Sequence, residues 1–336
     1  MGSLLVFLAS RSYPIPTSPC TQGEETRKPL AAFTFPMPFR RLLLPLLATL
    51  VLGACTHAAK PVPPPPAPPP PLPKLKIGLV LGGGAAKGFA HIGVVKMLEA
   101  SGIHPDVVAG TSAGSVVGAL YASGMDAFEM QQVAFGLDEA KIRDVQWSSG
   151  GLVRGRALQD YVNKLVHDQP IQKLKLPFAA VATQLETGAR TVFVSGNTGQ
   201  AVRASCSIPG VFEPVKIGDM HYVDGGVVSP IPVDAARQLG ADFVIAVDIS
   251  ASPSGSNPQG MLNIVGQSIT IMGRELAKQE IARADVVIRP DLSGIGSTDF
   301  EQKNLAILAG EKAALAAMPE IRARLAAREA SRVAAH

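Results

Sequence analysis

Cysteine is scarce: three residues in 336, too few for a fold stapled by disulfides. Aromatic side chains make up 5% of the chain and charged ones 17%. Yet 47% of the residues are hydrophobic, ample for a buried core, so global disorder is excluded. The 33 glycines follow no triplet period, which removes a collagen-like assembly. An excess of one sign of charge is also missing where it would matter. The formal +4 arises entirely in residues 1–73, which hold six basic and two acidic residues. Residues 74–336 carry 25 of each and are neutral, so a nucleic-acid partner has no basic footprint to read.

What is present begins with an unusual front. Residues 37–55, MPFRRLLLPLLATLVLGAC, place Arg40 and Arg41 before an apolar run from Leu42 to Leu52. That layout is expected of a secretory signal over 37–54, and the run is too short to span a bilayer. Leu52-Gly53-Ala54-Cys55 resembles a bacterial lipobox, which implies cleavage before Cys55 and a lipid on its sulfur. Thr56 rather than Asp follows, a pattern that implies sorting to the outer membrane of the bacterial envelope, facing the periplasm. Because the signal starts at Met37, residues 1–36 are expected to be a start-site artefact, and Cys20 with them carries no weight. Residues 61–73 hold ten prolines in thirteen positions and read as an extended polyproline spacer. The 18 residues from Thr56 to Pro73 would reach about 56 Å at roughly 3.1 Å per residue.

Residues 74–336 read as one α/β body, with a motif-bearing core over 77–240 and a helical and strand extension over 241–336. Strands are expected at 77–81, 107–109, 178–183, 191–194, 243–247 and 286–288. Helices are expected at 90–100, 113–122, 156–167, 233–239, 261–282 and much of 304–329. Strands alternating with helices predict a mostly parallel sheet covered on both faces. With Cys55 lipidated, Cys206 has no disulfide partner.

Three motifs carry chemistry. Gly82-Gly83-Gly84-Ala85-Ala86-Lys87-Gly88 directly follows the first strand, where glycines let backbone N–H groups approach an anion. A dinucleotide fingerprint would need Gly in place of Lys87, and a phosphate-binding Walker loop would need Ser or Thr after that lysine. Gly110-Thr111-Ser112-Ala113-Gly114 is a G-x-S-x-G stretch between a strand and a helix, the context of a nucleophile elbow exposing Ser112. Asp224-Gly225-Gly226 follows the strand-like His221–Val223. After Asp224 the sole histidine is the terminal His336, so the order Ser, acid, His of an α/β-hydrolase fails. His91 and His221 read as structural. A Ser–Asp dyad is favoured over a triad.

The runs IGLVLGGGAAKGFAHIGVVKML, VVAGTSAGSVVGALYASG, ASCSIPGVFEPV and YVDGGVVSPIPV together resemble the patatin-like phospholipase family, in that family's order, over roughly 77–240. The resemblance implies a three-layer α/β/α patatin-like fold and a serine acyl-ester hydrolase acting on membrane phospholipids or lysophospholipids. It implies Ser112 as nucleophile, Asp224 as base, and Gly82, Gly83 and Gly84 as the oxyanion loop, with Gly110 and Gly114 framing the elbow. No metal or cofactor is called for. The same dyad would also suit an acyltransferase or thioesterase, and a catalytically silent lipid-binding lipoprotein is the reading from another class.

Lesser candidates have plainer expectations. Lys87 reads as a solvated lysine, with a lipid phosphate as its alternative partner. Arg154 and Arg156 read as a loop leading into a helix. Cys206 reads as a small packed residue and Asp248 as a spare acid. Residues 124–151, which include Trp147, are a candidate cover for the site.

Overall fold

The computed structural model describes residues 73–137, 153–250 and 259–335. The proline run except Pro73, the signal and residues 1–36 lie outside them. Strands β1 (Ile77–Leu81), β2 (Val107–Thr111) and β7 (Phe243–Val247) are buried along their whole length, as continuous apolar runs in a sheet covered on both faces should be. The remaining strands are β3 (Phe178–Gln184), β4 (Arg190–Phe193), β5 (Val215–Ile217), β6 (Met220–Asp224) and β8 (Val286–Ile288). The described helices are α1 (Phe89–Ala100), α2 (Ala113–Ser123), α3 (Ala127–Gly136), α4 (Arg156–Leu165), α5 (Thr198–Ser205), α6 (Val233–Gln238), α7 (Met261–Ile281) and α8 (Lys303–Ala334).

The sheet runs β5-β6-β3-β2-β1-β7-β8, with β4 on β3. Strands β3, β2, β1, β7 and β8 are parallel, and β4, β5 and β6 are antiparallel additions. The period-two alternation of side chains sorts the core into two layers. Leu79, Leu81, Val108, Phe178 and Ile245 face one side, where α1, α2 and α8 pack. Val80, Ala109, Val181 and Ala246 face the other, against α6 and Ala277 of α7. The fold is thus a three-layer α/β/α sandwich. Residues 241–336 supply β7, β8, α7 and α8 to the same sheet and core as 77–240.

On the first face, α1 and α8 touch backbone to backbone. A Cβ on Gly93 would lie 2.0 Å from the Ile307 carbonyl, and one on Gly310 would lie 2.0 Å from that of Ala90. Helix α5 and strand β5 were not among the expected elements, and β6 extends the strand-like run His221–Val223 by one residue at each end.

The pairing around β3 decides where the site forms. Ala180 and Val181 pair with both β2 and β4, so those two strands lie on opposite edges of β3. Ala182 and Thr183 pair with both β4 and β6, which puts β6 on the edge that β2 occupies. Thr111 ends its ladder at Val181, and Asp224 ends its own at the next residue, Ala182. Strands β2 and β6 therefore meet end to end.

Candidate active site

Where β2 stops, the chain turns at Ser112 into α2. Ser112 has φ 53° and ψ −126°, a left-handed conformation that costs an L-residue about 1–3 kcal/mol and holds the side chain at the top of the sheet. The flanking glycines permit the turn sterically. A Cβ on Gly114 would stand 2.0 Å from the Leu81 carbonyl, and one on Gly110 would stand 2.3 Å from the Gly114 carbonyl. The elbow is also pinned from outside. The Ser112 N–H donates to Ser205 Oγ at 2.9 Å, and the Ser205 hydroxyl donates to the Val181 carbonyl at 2.6 Å. Ser115 Oγ donates to the Ser112 carbonyl at 2.7 Å.

Asp224, buried at the end of β6, meets this serine. Ser112 Oγ donates to Asp224 Oδ2 at 2.6 Å, and the Gly226 N–H donates to Oδ1 at 2.7 Å. Thr183 Oγ1 donates to the Asp224 carbonyl at 2.9 Å, and the Asp224 N–H donates to the Ser207 carbonyl at 2.8 Å. Burial pushes the Asp224 carboxyl up to about 6, while the bonds from Ser112 and Gly226 pull it back. The carboxylate is therefore a stronger base than a solvated aspartate.

The glycine loop lies beside the pair, in part not as expected. The Gly82 N–H donates to the Val247 carbonyl at 3.1 Å, and the Gly83 N–H donates to that of Pro230 at 3.0 Å. Both amides are consumed by the fold, which corrects their assignment as oxyanion donors. Gly84 and Ala85 line the cavity, and among the described residues their N–H groups meet no acceptor. Beneath the loop, His91 is fully buried and its Nε2 lies 2.8 Å from the Gly82 carbonyl. A carbonyl only accepts, so Nε2 carries the proton. Burial pushes this imidazole down to about 4, keeping it neutral.

A cavity of about 290 Å³ opens over Ser112 and Asp224. It is walled by Ile208–Val211, Val227 and Pro230, and by Val265, Ile269, Thr270, Gly273 and Arg274 of α7. The cover therefore comes from the C-terminal third of the chain. No described residue of 124–137 lines the cavity, and α3 packs on α1 and α2 instead; residues 138–151 lie outside the described residues. Helix α7 is held from its far end by Glu280, whose buried carboxylate accepts from Ser229 Oγ at 2.5 Å and the Ile231 N–H at 2.7 Å. The Ser229 carbonyl in turn accepts from Thr111 Oγ1 at 2.8 Å.

None of the lesser candidates lines the cavity. Lys87 is buried rather than solvated, and burial lowers its pKa. Arg154 and Arg156 are exposed and line no part of the cavity. Cys206 is a buried free thiol with its pKa pushed up by burial, and its Sγ lies 3.8 Å from Ser115 Oγ. Asp248 caps a turn through the Ser250 N–H at 3.0 Å and faces Arg289 at 3.4 Å. His221 pairs at the surface with Glu186 at 2.8 Å. Cys55 and His336 lie outside the described residues. Ser205, Ala85 and Glu280 were not singled out from sequence, although Ser205 lies in the ASCSIPG run.

A serine on a strand-to-helix elbow, bonded to a buried aspartate in a three-layer sandwich, defines an elbow-type α/β protein with a Ser–Asp pair. Comparison with known proteins narrows the class. The family model described as "Patatin-like phospholipase" matches residues 79–237, and that stretch of the chain carries the family's domain. An uncharacterized NTE family protein of Mycobacterium tuberculosis is 34% identical over 203 residues, covering 59% of this chain and 56% of the relative. Patatin-like phospholipase domain-containing protein 6 of Homo sapiens is 35% identical over 230 residues, covering 66% of this chain and 16% of that protein. The chain thus spans little more than half the length of the first of these relatives. Among solved structures, VipD from Legionella pneumophila shares the fold at a TM-score of 0.53 and 14% identity, over 74% of this chain and 67% of that one. The family's domain implies a lipid acyl hydrolase.

Proposed function

We propose that the protein hydrolyses acyl esters of membrane phospholipids or lysophospholipids through a Ser112–Asp224 dyad. The observation that carries this reading is the 2.6 Å bond from Ser112 Oγ to a buried carboxylate beneath an apolar cavity. Asp224 takes the Ser112 proton as Oγ attacks the ester carbonyl. The negative charge that develops on the carbonyl oxygen is met by the N–H groups of Gly84 and Ala85, the two loop amides not spent on the fold. Collapse releases the alcohol, which receives the proton from Asp224, and leaves the acyl group on Ser112. Water then attacks that acyl-enzyme, with Asp224 again as base. The apolar walls suit a fatty-acyl chain. A lipidated Cys55 with its proline spacer would raise the local concentration of such an enzyme at an envelope membrane.

A fluorophosphonate probe tests the chemistry. It is expected to label the wild-type protein at Ser112 and to fail on Ser112→Ala. Mass spectrometry of products from mixed phospholipids should show free fatty acid and lysophospholipid from wild type alone. Acyl transfer to an added alcohol in place of fatty acid would assign a transferase, and labelling at another residue would discard the dyad.

A further inference from the structure

We propose that the first three turns of α7 form the surface by which the protein docks on a lipid bilayer, an inference that rests on the lipid-ester reading above. Residues 261–273 contain no Asp, Glu, Lys, Arg or His, an unusual run for the outside of a protein. Ile264, Val265, Ile271 and Met272 are 42% to 56% exposed, and their spacing of one, seven and eight residues sets them along one stripe of the helix. Exposed apolar residues scattered singly need no explanation, but four on three turns make a patch.

Two further observations say what covers this patch. First, its hydroxyls are already satisfied. Ser268 Oγ donates to the Ile264 carbonyl and Thr270 Oγ1 to the Gly266 carbonyl, each at 2.9 Å, so neither demands water. Second, the same turns border the catalytic cavity. Val265, Ile269, Thr270 and Gly273 line it from α7, and Val211, 41% exposed, lines it from the other side. An acyl chain leaving a membrane would pass from lipid to cavity across apolar side chains without crossing water. Arg274, the first charge on the helix, stands exposed at the cavity edge, at the depth where a phosphate headgroup would lie. Far from this end, Ala277 and Glu280 are buried in the body, so the docking turns are carried on an anchored shaft. A helix with an apolar stripe that lies along the interface is the expected geometry. Among the described residues no helix is long and apolar enough to cross a membrane.

The test uses the full chain and a reporter on the helix itself, so that attachment through the N-terminal region does not register. Met272→Trp protein, compared with a parent that carries Trp147 alone, is mixed with vesicles of phosphatidylcholine and phosphatidylglycerol. Its emission is expected to move to shorter wavelength and to be quenched by bromine-labelled acyl chains. In parallel, Ile264→Gln/Ile271→Gln/Met272→Gln protein should turn over a water-soluble short-chain ester at the wild-type rate while losing about tenfold or more on vesicle phospholipid. An unchanged emission, a shift that appears without vesicles and grows with protein concentration, or full vesicle activity in the triple variant would each overturn the docking surface. If wild type cleaves neither substrate but the tryptophan still enters lipid, the hydrolase reading fails and the docking surface stands.

Discussion

Asp224 gives up stability for basicity. A carboxylate taken out of water without a countercharge is destabilising, and among the described residues its compensation is two hydrogen bonds. Because its pKa is raised from 3.8 to about 6, the folded protein binds a proton more tightly than the unfolded chain between those values. Stability from this group is therefore fully present below about pH 4 and is lost as pH rises through 6. Asp224→Asn should raise the free energy of unfolding at pH 8 by up to about 3 kcal/mol, seen as a higher melting temperature, with a gain that shrinks to nothing near pH 4. The same variant should abolish ester turnover while leaving the circular dichroism spectrum unchanged. In the wild type, kcat/KM should climb with pH through an inflection near 6, as the base form of Asp224 appears. An inflection near 4 would show that the carboxyl is hydrated and the cavity wet.

Among the elements, α5 and the glycine contact of α1 with α8 do unobtrusive positioning. Ser205, in the last turn of α5, accepts from the Ser112 amide and donates its hydroxyl to the Val181 carbonyl of β3. Ser205→Ala leaves that buried amide unpaired, a loss of about 1–3 kcal/mol. The expected result is a lower kcat on soluble esters with KM little changed, because the elbow loses its outer pin and the cavity keeps its walls. Gly310→Ala acts from farther away. Its new Cβ would press on the Ala90 carbonyl, one residue from the His91 that holds Gly82. Overpacking of this kind costs about 1–3 kcal/mol, and a thermal melt should show it. These cases also mark what sequence makes legible. Strands β1, β7 and β8 are legible to the residue because each is a short apolar run containing β-branched side chains, bounded by polar or turn-forming residues. Helix α5, TGQAVRAS, is short and mixed in polarity, and its clearest signal is the Asn197 cap on the Gln200 amide. Ser112 and Asp224 announced themselves through the glycines their turns require. Glu280 did not, since an acid in a helix usually faces water, and its partners lie 49 and 51 residues away in the chain. The taken amides of Gly82 and Gly83 were equally invisible, because acceptors at Val247 and Pro230 are fixed only by tertiary packing.

At the scale of the whole molecule, the chemistry and the address are separable. The Ser112–Asp224 pair, the cavity and the α7 stripe all belong to the unit Pro68–His336, whereas lipidation is proposed for Cys55. Cys55→Ser should therefore release the protein from isolated membranes, by fractionation, while fluorophosphonate labelling of Ser112 persists. Loss of labelling together with membrane attachment would mean that the front segment contributes to the site itself.

The end-to-end meeting of β2 and β6 on one edge of β3 has a consequence for how the chain comes into being. A polypeptide emerging from its N-terminus completes the elbow long before the hairpin that bears Asp224, and β3, the strand with which β2 and β6 both pair, must be in place before the two can meet end to end. A nascent molecule thus carries Ser112 without Asp224 beside it. Under the proposed hydrolysis of lipid esters, arming by the docking of a late hairpin would be a safeguard that needs no inhibitor and no cleaved pro-segment.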